Sequence, residues 1–138
     1  MTGPGQSAER DEAVVTAWFE AFNVRDLDGM LERFDDEIEF RPLRFPGVQP
    51  SYVGHAGIRE WFAAVTGGGH VHRIEAERFS RTEDGRLLVA GKVSLASVGG
   101  IAPFSGLYEF EGGRIRRAIH YFTPVAVLDR LGLVEDAI

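Results

Sequence analysis

Four side chains in this sequence could do chemistry. His120 lies in the run AIHYF, inside the last strand-like stretch. An imidazole titrates near neutral pH, so it can take or give a proton in a reaction. Tyr108, in FSGLYEF, offers a phenol that can donate to a ligand carbonyl. Arg41, in EFRP, carries a fixed positive charge that could hold a carboxylate or stabilise an enolate at a pocket mouth. His72 follows His70 with one residue between, the spacing of half a metal site. Two ligands do not hold a metal alone, there is no cysteine, and no third ligand is fixed by spacing, so no metal is expected. Each group also has a structural reading. His120 could be a packed histidine bonded to a tyrosine or to backbone, and Arg41 an ion-pair partner of Asp36, Glu37 or Glu39. Tyr108 could be a core tyrosine in the row Phe104, Tyr108, Phe110.

The elements that must position these groups follow from periodicity. Residues 1–7 are small, polar and Gly/Pro-bearing and read as a flexible tail before a single domain over 8–138. Ser7 can cap a first helix on which Val14, Ala17, Trp18, Ala21 and Phe22 form an apolar stripe. After NVRD, Asp26 can cap a short helix carrying Leu27, Met30, Leu31 and Phe34. EIEFRP (37–42) reads as a short strand stopped by Pro42, and 43–54 as a loop. A third helix after YVGHAG places Ile58, Trp61, Phe62 and Val65 on one side. From residue 70 the period changes. The stretches 70–81, 86–97, 101–111 and 114–122 read as strands joined by EDG, VGG and EGG turns, an antiparallel meander. TPVAVLDRLGL reads as a final helix begun by Thr123 and Pro124, closing one end of the pocket.

Helices gathered before such a sheet must bury their stripes on one of its faces, which gives an α+β domain with a concave interior. The net charge of −6 and the absence of a basic stripe argue against nucleic acid as a partner. No apolar run reaches membrane-spanning length, and MTGPGQS has no signal-peptide pattern, so a cytoplasmic protein is the simplest expectation. Arg114, Arg116 and Arg117 form a basic cluster too short to change that balance.

The order helix, NVRDLDGMLERFDDEIEF, loop, YVGHAGIREWF, then a meander ending GGRIRRAIHYF resembles the SnoaL-like branch of the nuclear transport factor 2-like superfamily over roughly residues 8–133. The resemblance implies a cone-shaped, curved, mostly antiparallel sheet around the N-terminal helices, with an internal apolar pocket. It implies a small hydrophobic or aromatic ligand, cofactor-free acid–base chemistry of the isomerase, cyclase or dehydratase kind, and a homodimer paired through the outer sheet face. A non-catalytic binder or an assembly module is the alternative. Alternation alone leaves the last strand ambiguous between Ile115, Ile119, Tyr121 and Ala118, His120, Phe122; the resemblance points the second set inward. It makes His120 the proton-transfer group, with Arg41 and Tyr108 orienting the ligand. Trp18, Phe22 and Trp61, the interior phase of Val93 and Phe104, and His72 and Phe122 would line the pocket. The acids of ketosteroid isomerase and limonene epoxide hydrolase are missing: Arg41, Gly106 and His120 occupy their places, so neither reaction is expected.

Overall fold

The computed structural model describes residues 4–67, 70–95 and 99–122, with side chains described from residue 9 onward. The expected helix at Thr123 lies outside the described residues, as does the far end of the 86–97 run. Helix α1 spans Pro4–Asn23, α2 Leu27–Leu31 and α3 Gly54–Gly67. The strands are β1 Phe34–Arg41, β2 Tyr52–Val53, β3 Arg73–Arg81, β4 Leu87–Leu95, β5 Gly100–Glu111 and β6 Arg114–Tyr121. They form one curved, unclosed sheet in the order β2-β1-β6-β5-β4-β3. The β3–β6 meander is antiparallel, whereas β1 runs parallel to β6.

Within the described residues helix α1 already runs from Pro4, so Ser7 lies inside it and not at its cap. Its buried stripe is Val15, Trp18, Phe19 and Phe22; Val14, Ala17 and Ala21 lie to the side. The helix ends where the Arg25 and Asp26 amides reach back to the Phe22 and Ala21 carbonyls, a Schellman-type stop. Arg25 therefore sits at φ 60°, a place that glycine usually takes. Its guanidinium compensates by donating to the carbonyls of Phe22 (2.8 Å) and His72 (3.0 Å). Asp26 then caps α2, accepting from the Gly29 amide at 3.0 Å. Phe34 starts β1 rather than extending α2, and α3 starts at Gly54, earlier than expected.

Asn23 ties α1 to β3. Its side-chain amide donates to the Ile74 carbonyl and accepts from the Ile74 amide, each at 2.9 Å, as a neighbouring strand would. Asn23→Ala leaves both groups without partners and should cost about 2 kcal/mol, measured by urea unfolding. A loss below a few tenths would mean that water replaces the amide freely.

The sheet's concave face carries the helices; α1 packs on β3 and β4, and α3 on β1. Curvature has a local cause at Gly91. It pairs with Ala76 beside a bulge in β3, and a Cβ there would lie 2.1 Å from the Glu75 carbonyl oxygen. A further bulge between Glu109 and Phe110 shifts the phase of β6, so Ile115 joins the main core while Ile119 and Tyr121 lie on the outer face. There Leu88, Leu107, Ile119 and Tyr121 form a second cluster, already buried within one chain. An ion ladder runs beside it: Glu39 to Arg117 (3.6 Å), Arg117 to Glu109 (3.5 Å) and Glu109 to Arg86 (4.0 Å). Arg114 and Arg116 pair with Asp36 (3.6 Å) and Asp35 (3.8 Å), so acids neutralise the basic cluster.

Candidate functional site

The inward residues of β4, β5 and β6 meet α1 around His120. In register, Gly106 faces His120 across β5–β6, and Tyr108 faces Ala118. Tyr108 is thus a diagonal neighbour of His120, and its hydroxyl lies 2.6 Å from His120 Nε2. Either the phenol donates to Nε2 or Nε2–H donates to the phenol oxygen; in both arrangements the pair is uncharged. Burial pushes the His120 imidazole down to about 3. Burial likewise pushes the Tyr108 phenol well above its usual range, with the Trp18 side chain working weakly against it. Trp18 Nε1 itself has no partner of hydrogen-bonding geometry.

Aromatic rings surround the imidazole. Trp18 stacks on it at 6.0 Å and 12°, Phe40 meets it edge-on at 5.3 Å, and Phe104 lies tilted at 5.2 Å. Beyond Trp18, Trp61 packs edge-on at 5.9 Å and Phe22 at 6.3 Å. These side chains are buried because their elements converge here, and the same crowding keeps water from solvating a charged imidazole.

A cavity opens beside this cluster, lined by Trp18, Phe22, Leu43, Phe45, Trp61, Val65, Val71, Ile74, Val93 and His120. Its free space is about 10 Å³, room for a single water, because the rings fill the interior. Among the described residues His120 is the only titratable group on the wall.

Five of the residues expected from sequence therefore meet here: His120, Trp18, Phe22, Trp61 and Val93. Tyr108 and Phe104 stand behind His120, touching it without lining the cavity. The other three do not line this cavity. Arg41 is exposed at the end of β1, where Phe40 takes the inward position; it lines a separate surface groove with Arg44 and Ser51, whose wall His120 also reaches. His72 is exposed because β3 begins only at Arg73 and the inward places go to Val71 and Ile74. Phe122 is 43% exposed and rests edge-on against Phe45. His70 does not pair with His72 for a metal; its Nε2 lies 2.9 Å from the Pro46 carbonyl and its ring stacks on Phe45. Among the described residues no group of three or more potential metal-ligating side chains comes together. No described helix is long and apolar enough to cross a membrane.

Sequence reasoning missed Leu43 and Phe45, which reach the wall from the connection between β1 and β2. The available signal was two large apolar residues inside a proline-rich loop, which a purely solvent-exposed connection does not need.

A curved sheet closed on one face by N-terminal helices, around a buried aromatic and polar cluster, defines the cystatin-like, nuclear transport factor 2-like class of α+β proteins. The SnoaL-like domain model matches residues 15–118, and the chain belongs to that family. Bal32a, from a soil-derived mobile gene cassette, superposes with a TM-score of 0.71 at 20% identity, covering 83% of this chain and 90% of its own. TerC, co-crystallised with polyporic acid, gives 0.69 at 23%, covering 91% and 99%. A nuclear transport factor 2-like protein of unknown function from Burkholderia pseudomallei gives 0.67 at 22%, covering 87% and 95%. At these identities the likeness carries the fold alone. No curated protein matches the sequence.

Proposed function

We propose that this chain binds a small, uncharged, largely apolar ring compound between α1, α3 and the sheet, with His120 as the polar end of the site. The observation that supports this is a hydrogen-bonded Tyr–His pair held neutral behind an otherwise apolar, aromatic wall. Aromatic walls bind rings through area and edge contacts, while one or two placed polar atoms fix orientation. Among the described residues no cation lines the cavity, and burying an unpaired anion beside them would cost several kcal/mol, which favours a ligand uncharged at this end. TerC's co-crystallisation with polyporic acid supports a small-molecule site on this fold.

A ligand larger than water must displace part of the wall. The segment able to yield is the one bearing Leu43 and Phe45. Its described hydrogen bonds are few, namely His70 with the Pro46 carbonyl, the Val48 amide to the Phe45 carbonyl and the Gln49 amide to the Tyr52 hydroxyl. The rest of its hold is apolar contact, through buried Leu43 and Val48 and the Phe45 ring against His70 and Phe122.

A second reading adds proton transfer through Tyr108 and His120, and the 2.6 Å contact favours it. An imidazole pushed to about 3 is a poor base at neutral pH, so this chemistry requires the bound ligand to raise its basicity.

The test is a thermal-shift screen with uncharged ring compounds, since a ligand of the folded state raises the melting temperature by mass action. Trp61→Ala should weaken the best binder roughly 10- to 100-fold, the loss expected from removing about 1.5–3 kcal/mol of wall contact. His120→Ala should keep most of that affinity and abolish any turnover. A broad library that leaves the melt unmoved would sink the reading.

A further inference from the structure

We infer that Gly106 is the positioning residue that seats Tyr108 on His120. Its backbone φ is not positive, so conformational freedom does not explain a glycine here. Space does. A Cβ at 106 would lie 2.8 Å from Tyr108 Cε2 and 3.0 Å from the Tyr108 hydroxyl, closer than real Cβ atoms come to ring carbons. The phenol ring therefore lies back along its own strand over the bare backbone of residue 106, two positions earlier on the same face. Gly106 is also the direct cross-strand partner of His120, so a ring laid over it is delivered to Nε2. Any side chain at 106 would occupy the path between phenol and imidazole.

Tyr108 cannot simply swing aside. It is completely buried, with Leu87 and Ala118 as its cross-strand partners. The same device recurs one strand over, where a Cβ at Gly91 would lie 2.7 Å from Phe104 Cε1. Two inward glycines thus admit the two β5 rings, Phe104 and Tyr108, that flank the imidazole. Gly91 also meets backbone, whereas the three nearest atoms at Gly106 all belong to Tyr108. Only Gly106 is specific to the polar pair.

The experiment compares Gly106→Ala, Tyr108→Phe, Tyr108→Leu and the double variant Gly106→Ala/Tyr108→Leu, without any ligand. The ¹⁵N shifts of the His120 imidazole report its tautomer and the partner on Nε2, which a purely structural role for residue 106 would not move. Gly106→Ala should convert the wild-type His120 signals to those of Tyr108→Phe, and lower the melting temperature by roughly 5 °C or more. In the Tyr108→Leu background the same substitution should cost less than half as much, because the ring it collides with is gone. If Gly106→Ala does not fold but the double variant does, the collision is with the ring and the inference stands. Unchanged His120 signals in Gly106→Ala, an equal cost in both backgrounds, or failure of both variants to fold would overturn it.

Discussion

Lowering the pH from 7 to 4.5 should destabilise this protein by on the order of 2–3 kcal/mol through His120. The imidazole's folded value of about 3 lies below its unfolded value of 6.5, and burial is the cause. Below pH 6.5 the unfolded chain takes up a proton that the folded chain refuses. The stabilisation is therefore complete above 6.5 and is lost as the pH falls toward 3, at no more than about 1.4 kcal/mol per pH unit. The carboxylates held below their usual values act in a different window. Glu75, through its hydrogen bond from Arg73, and Asp84, through that from Thr82, start from 4.5 and 3.8 and lose their partners only at lower pH. Urea unfolding across pH 4.5–7.5 should therefore give a steep limb in wild type and a shallower one in His120→Leu. The variant starts lower at neutral pH, because Tyr108 loses its partner, but its slope is the readout. An unchanged slope between 6.5 and 4.5 would show that His120 is solvated and titrates normally.

Trp18→Ala should cost about 3–5 kcal/mol, the range for deleting a large buried aromatic side chain. Trp18 is fully buried and makes ring contacts with Phe19, Phe22, Phe34, Phe40, Trp61 and His120. It is where helix α1 touches β1, α3 and the imidazole together, so the rings around it cannot close the gap without leaving their own contacts. Its indole N–H makes no hydrogen bond, which keeps the loss one of packing. The vacated space adjoins the existing cavity, and added indole should raise the variant's melting temperature by more than it raises that of wild type. A cost near 1 kcal/mol with no indole effect would mean that the interior collapses around the missing ring.

Much of the architecture was legible from local pattern. The change from helical to alternating period near residue 70, the turn glycines, and the spacing of Ile58, Trp61 and Val65 depend on near neighbours, and the helices and meander followed from them. Asp26 as a cap was likewise a local matter. The boundaries that slipped were helix starts: the first helix already includes Ser7, which was expected to cap it, and the third starts at Gly54 rather than after YVGHAG.

By itself the sequence determined which residues could do chemistry, and that the acids of the best-known reactions on this fold are absent. It also determined that an inward phase of Val89, Val93, Phe104, Tyr108 and His120 was available. The tertiary structure decided which of these meet. A bulge between Glu109 and Phe110, invisible in alternation, set the phase that sends Ile115 inward and Ile119 outward. The parallel pairing of β1 with β6 put Phe40 beside the imidazole and left Arg41 exposed at the strand's end. Tyr108 reached His120 across Gly106 because register sets that diagonal, and register arises from pairings distant in sequence. The imidazole is neutral for the same reason. Its environment comes from α1, β1, β5 and β6 at once, and desolvation exists only when all of them are in place.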